Sequence, residues 1–160
     1  MSKKYILITL FFISSFFALQ SQAEISLYKE ECGSCHMAYK PSLMATSSWE
    51  KLMSKKELSN HFGEDITYED QSINNSIKEY LVSNSFRYPP NFPEVMISKS
   101  IRITDMPSIA RHHRKIPKKL ITQEEVKSIS NCVACHVDAD KGDFSEENIT
   151  IPGYGKYDNH

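Results

Sequence analysis

"CGSCH", residues 32–36, and "CVACH", residues 132–136, set one frame twice in a chain of 160 residues and use all four of its cysteines. C-x-x-C-H is the attachment pattern of a c-type haem. Its spacing has a chemical reason. Thiols at i and i+3 can each add to one vinyl group of a single haem, and the next residue delivers an imidazole to the iron. The expectation is two covalently bound haem c groups. Cys32 and Cys35 would hold one and Cys132 and Cys135 the other, with His36 and His136 as proximal iron ligands.

Three other chemistries use paired cysteines. A thioredoxin-like C-x-x-C pair needs a βαβ context, and no such pattern is visible. A four-cysteine zinc site also uses C-x2-C spacing, but it leaves both trailing histidines unused, and the pairs begin 100 residues apart, at 32 and 132. Disulfides are the third, and they do not explain the histidines either.

The N-terminus reads as an export signal. Lys3 and Lys4 precede an apolar run from Tyr5 to Leu19, and Ser21-Gln22-Ala23 puts small residues where a signal peptidase cuts. That run is shorter than the roughly 20 residues needed to cross a bilayer. Cleavage near Ala23 would leave a periplasmic chain without a membrane span. Removing residues 1–23 takes away two lysines and no acid, leaving 137 residues with 17 basic and 20 acidic, a net charge of −3 with histidines neutral. Such a mild acidic balance argues against nucleic-acid binding.

Capping pairs and apolar periodicity predict a mostly helical chain. Ile25, Tyr28 and Cys32 share a face leading into the first frame. Ser47 with Glu50 reads as a capping box before Trp49, Leu52 and Met53. A break is expected near Ser54–Lys56, and Gly63 as a stop. Thr67 with Asp70 reads as a second capping pair, before the clearest amphipathic helix, with Ile73, Ile77, Tyr80 and Leu81. "FRYPPNFPE", residues 86–94, then supplies three prolines and a natural boundary. Beyond it, Asp105 and Pro107 start a helix that Pro117 ends, with Ile109, His113 and Ile116 on one face. Thr122 with Glu125 reads as another capping box, before a helix running through Val126, Ile129 and Val133. The tail after Gly142 reads as loop.

The expected architecture is therefore all-α, with two small haem-binding domains at 24–88 and 89–160. Halves of about 70 residues fill a core with difficulty, and a large apolar cofactor in each relieves that.

Each iron has a second axial position, filled by His or Met in electron carriers and left open where small molecules bind. The spare histidines are His61, His112, His113 and His160. His61, in "NHFGED", reads equally as a surface residue or a ligand. Neighbours on a helix point about 100° apart, so His112 and His113 cannot face one haem together. His113 shares the apolar face and His112 lies toward Arg111, which favours His113. His160 ends a loop-like tail. Met106 is the best methionine candidate, though methionine is also a common core filler.

Several stretches are similar to the dihaem cytochrome c (DHC-type) family: "CGSCHMAYKP", "SSWEKLM", "NHFGED", "RIT", "HRKIP", "NCVACHVDADKGDF" and "ITIP". They occur in family order from Cys32 to Pro152. The resemblance implies two mostly helical domains, the N-terminal one cytochrome-c-like and the C-terminal one smaller, with long loops. It implies bis-histidine ligation at both irons, with His61 and His113 as the distal ligands. It also implies redox partners: a membrane b-type cytochrome and a small soluble haem protein that binds ligands.

The expected function is a periplasmic electron carrier rather than an enzyme. The alternative is a small dihaem peroxidase or reductase with one open iron, against which the two spare histidines argue. A haem-based sensor would need an effector domain. Arg111, Arg114, Lys115, Lys118 and Lys119 form a cationic run that reads either as a solvated helix face or as a docking patch.

Overall fold

The helix Gln71–Ser83 organises the first half. The computed structural model describes residues 22–92 and 100–157, in which residues 22–32 form helix α1. It is followed by α2 (Thr46–Leu52), α3 (Lys55–Leu58) and α4 (Gln71–Ser83). The α4 N-cap is Asp70, whose carboxylate accepts the Ser72 amide at 2.8 Å. Thr67 instead pairs with Asp65. Ile77 and Leu81 of α4 are wholly buried, and α2 packs across the helix. Tyr28 of α1, Trp49 and Leu52 of α2 and Leu58 of α3 complete this core.

Two expectations in this half need correction. The Ser47–Glu50 capping box does not form, because α2 starts at Thr46 with Ala45 as N-cap and no side-chain cap. The Thr46 amide is already taken by the Phe86 carbonyl at 3.1 Å, within a bridge joining Ala45 to Phe86. The backbone of a distant strand-like segment does the work of a cap. Gly63 does not stop a helix either, since α3 ends at Leu58. It sits in a turn with φ of 109°, a left-handed conformation that costs glycine little. The expected break is present, with Ser54 as the N-cap of α3.

The second half has α5 (Pro107–His113), α6 (Lys118–Ile121) and a two-stranded antiparallel hairpin, β1 (Thr150–Ile151) with β2 (Gly155–Lys156). Pro107 opens α5 as predicted. That helix ends at His113, ahead of Pro117, which instead precedes α6. The predicted helix through Val126–Val133 is absent. Thr122 spends its hydroxyl on the Lys118 carbonyl at the end of α6, and Lys127 turns left-handed with φ of 64°. The chain instead winds as turns around buried Val126 to a short 3-10 turn at Cys132–Ala134. The tail read as loop carries the small hairpin, and buried Ile151 anchors it.

Ile103 and Met106, beyond the proline-rich stretch, belong to the same hydrophobic cluster as Tyr28, Trp49 and Leu81. Met106 is a core filler, 3% exposed. The expected signal falls on residues outside the described ones save for its last two, and Met96 and His160 also lie outside them. Among the described residues no helix is long and apolar enough to cross a membrane.

Candidate functional site

The end of α1 delivers the first cysteine frame. Gly33 has its amide on the Lys29 carbonyl at 3.0 Å. A Cβ there would fall 2.2 Å from that same carbonyl oxygen, so the chain can pass only as glycine. Burial pushes the Cys32 thiol up to about 11, against a hydrogen bond with Tyr68. His36 stacks on Tyr39 with ring centres 4.9 Å apart, and its Nδ1 lies 2.8 Å from the Met37 carbonyl. A carbonyl can only accept, so Nδ1 is the donor there and the neutral ring has its free lone pair on Nε2.

His61 faces His36 with ring centres 6.3 Å apart. Reciprocal backbone bonds between His61 and Glu64 fix its turn, with Phe62 held left-handed at φ of 55°. Phe62 packs against the His61 ring on one side and lies under the Arg102 guanidinium, 4.5 Å from the ring centre. Burial and then the neighbouring His36 lower the His61 pKa, which favours a neutral imidazole.

The second frame repeats this arrangement with different elements. The His136 amide bonds the Cys132 carbonyl at 2.8 Å, and the Thr150 amide bonds the Cys135 carbonyl at 2.9 Å. The C-terminal tail thus clamps the frame. His113 faces His136 with ring centres 6.1 Å apart, and Phe144 packs on His136. His113 has its Nδ1 2.7 Å from the Ile109 carbonyl, one helical turn back. Burial, followed by His113, lowers the His136 pKa, opposed by Asp143. A cavity of about 720 Å³ opens beside this pair, walled by Ile109, Ile116, Leu120 and Ile129. That lies within the roughly 300–1,000 Å³ of ordinary cofactor and ligand sites. His112 also borders it but is exposed, whereas His113 is half-buried.

Each pair has one tied ring and one untied ring. His36 and His113 have Nδ1 on a carbonyl. His61 and His136 have Nδ1 buried with no partner among the described residues. A buried ring nitrogen without a partner is costly.

The pairs fit iron held between two imidazoles. A metal–imidazole bond is about 2.0 Å and the ring centre lies about 1.1 Å behind its nitrogen, so ligands on opposite sides of one metal have centres about 6.2 Å apart. Both pairs match that span, and one ring of each, His36 or His136, directly follows the second cysteine of a C-x-x-C pair. None of the four cysteines is paired in a disulfide. Among the described residues no group of three or more His, Cys, Asp or Glu is gathered as a zinc site would require.

Tyr39, Phe62, Arg102 and Phe144 are the contributors that pattern alone did not single out. Tyr39 and Phe144 lie inside the quoted "CGSCHMAYKP" and "DADKGDF" stretches. An aromatic a few residues after a histidine was the available signal. Phe62 and Arg102 likewise lie inside the quoted "NHFGED" and "RIT" stretches, but no local pattern records that they pair.

Comparison with known proteins agrees with this chemistry. The family described as dihaem cytochrome c matches residues 28–144. A dihaem cytochrome type c from Shewanella baltica OS155, solved by X-ray crystallography, is 34% identical. That similarity covers 84% of this chain and 98% of the other, with a TM-score of 0.69. A dihaem cytochrome c from Rhodobacter sphaeroides is 35% identical over 74% of this chain and 95% of the other, with a TM-score of 0.63. No curated protein matches at a significant level.

Proposed function

Because the chain belongs to the dihaem cytochrome c family and so carries two covalently bound haem c groups, we propose that it passes single electrons through two six-coordinate, bis-histidine irons. In this reading Cys32 and Cys35 anchor one haem, and Cys132 and Cys135 the other. His36 and His136 are the proximal ligands and His61 and His113 the distal ones. Residues 24–88 and 89–160 each take one haem. The observation that carries the reading is the pair of facing imidazoles at 6.3 and 6.1 Å.

The haem irons supply the one-electron couple, and the chain supplies what keeps it reversible. His36, His61, His113 and His136, held by packing and turns, would hold each iron in either oxidation state, so that little would need to reorganise on transfer. Histidine in both axial positions holds the potential lower than methionine would. The carbonyls of Met37 and Ile109 fix the tautomer of His36 and His113 and raise the basicity of those rings. The apolar wall around the second site limits water and lowers the local dielectric.

Export by a signal cleaved near Ala23 would put this carrier in the periplasm. Its partners in this reading are a membrane b-type cytochrome, or a quinol pathway, and a small soluble haem protein. Arg111, Arg114, Lys115, Lys118 and Lys119, all exposed, are the proposed docking face for an acidic partner. Such steering acts on the association rate and weakens with salt.

Carbon monoxide tests the ligation. The reduced protein should bind the gas poorly at both haems, and the oxidised protein should show two low-spin ferric centres. Ready binding at one haem would replace the carrier with a dihaem enzyme that has an open iron.

A further inference from the structure

Tyr39 is the side chain that touches both sites. Its ring stacks on His36, with centres 4.9 Å apart and planes at 22°. Its hydroxyl donates to the Ser130 carbonyl at 2.9 Å, across 91 positions of sequence. Cys132 Sγ lies 3.6 Å from that same carbonyl. The Tyr39 carbonyl in turn accepts from buried Tyr28 at 2.7 Å, and the Trp49 indole donates to the nearby Pro41 carbonyl at 2.8 Å. Segment 39–41 is therefore pinned from the core side and reaches out to the second frame on the other. The contacts run from the His36 imidazole through the Tyr39 ring and hydroxyl to the Ser130 carbonyl and the Cys132 sulfur.

We propose that Tyr39 is a positioning residue that couples the two haem sites, its ring orienting His36 and its hydroxyl holding the Cys132 loop at a fixed distance. The proposal rests on the carrier reading above. The transfer it serves oxidises one site and reduces the other by one electron, with no bond made or broken. Tyr39 keeps its proton throughout and is not itself oxidised. Tyr28, a core tyrosine, also spends its hydroxyl on a backbone carbonyl, but on one only 11 residues away and in the same half. Tyr39 spends its polar end on a single backbone oxygen of the other site.

Two variants of the haem-loaded protein separate the contributions. Tyr39→Phe keeps the stack and removes the bond to Ser130, while Tyr39→Leu removes both. Intramolecular electron transfer between the haems is followed after rapid partial reduction, with each haem's potential measured separately. Tyr39→Phe should slow the transfer several-fold while leaving both potentials close to wild type. Tyr39→Leu should slow it further and shift the low-spin ferric signal of the His36 site alone. Absence of intramolecular transfer in the wild type would sink the carrier reading and this proposal with it. Wild-type transfer that survives in Tyr39→Phe, or slows only as far as a changed potential accounts for, would sink the Tyr39 assignment alone.

Discussion

His113 and His136 face one another at 6.1 Å, yet they are held by unrelated devices. His113 is oriented from within its own helix, by the Ile109 carbonyl one turn back. His136 sits in a turn clamped by the C-terminal tail through Thr150 and a bridge to Ile149. The two rings approach because α5 and the second cysteine frame flank one apolar cavity.

That arrangement discriminates between adjacent histidines. His113→Ala should remove one of two low-spin ferric centres and open that iron to carbon monoxide. His112→Ala should leave both centres intact, since His112 is exposed. Electron paramagnetic resonance of the two variants checks this. The opposite pattern would move the ligand to His112.

Gly33 is a steric requirement inside the first attachment frame. Gly33→Ala would drive a methyl into the Lys29 backbone oxygen, which lies 2.2 Å from the position of that Cβ. Backbone cannot move aside as a flexible side-chain end can, so the Cys32–Cys35 spacing must distort. The expected product carries one covalent haem instead of two. Intact-protein mass and haem-to-protein stoichiometry measure it directly. Full double loading would show that the turn is more adaptable than its geometry indicates.

Leu81 is wholly buried between α4 and its neighbours. Leu81→Ala should cost about 2–5 kcal/mol of unfolding free energy, the range for large-to-small changes at sites that cannot collapse. Denaturant unfolding monitored by far-ultraviolet circular dichroism gives the number. The spectrum of a loaded variant that still folds should keep both low-spin centres, because Leu81 belongs to the apolar cluster and is not itself a ligand.

Asp70 makes the α4 cap dependent on pH. Its bonds to Ser72 hold the carboxyl below the usual carboxylate range. A depressed pKa gives stability that is fully present above the unfolded value and is lost as pH falls through the folded one. Asp70→Ala should therefore lower the melting temperature at neutral pH. The gap to wild type should close once the pH is below the carboxylate range. Melting curves in a pH series test this, and a gap independent of pH would remove the charge from the explanation.

The sites were more legible than the segments between them. The two cysteine frames announce themselves because covalent chemistry demands fixed residues at fixed offsets. The α4 helix was visible because Ile73, Ile77, Tyr80 and Leu81 keep one face over its length. The capping signals failed where other bonds, one tertiary and one local, took over the same groups. At Ser47 the Phe86 backbone had already satisfied the helix start. At Thr122 the hydroxyl looked forward to a helix in sequence but turns back to one in structure. Tyr39–Ser130 and Arg102–Phe62 join residues far apart in sequence, and no local pattern records such pairs.

The shared core has a consequence for how the molecule is made. Ile103 and Met106 help close the cluster around Tyr28, Trp49 and Leu81. A chain emerging N-terminus first exposes "CGSCH" well before those two residues arrive. The first frame is then accessible to attachment chemistry while its own apolar cluster is still incomplete. Ile103 and Met106, which close that cluster, lead directly into α5 and so into His113. The apolar cluster of the first half is thus complete only with residues of the second, so a change that loosens Ile103 or Met106 reaches both halves.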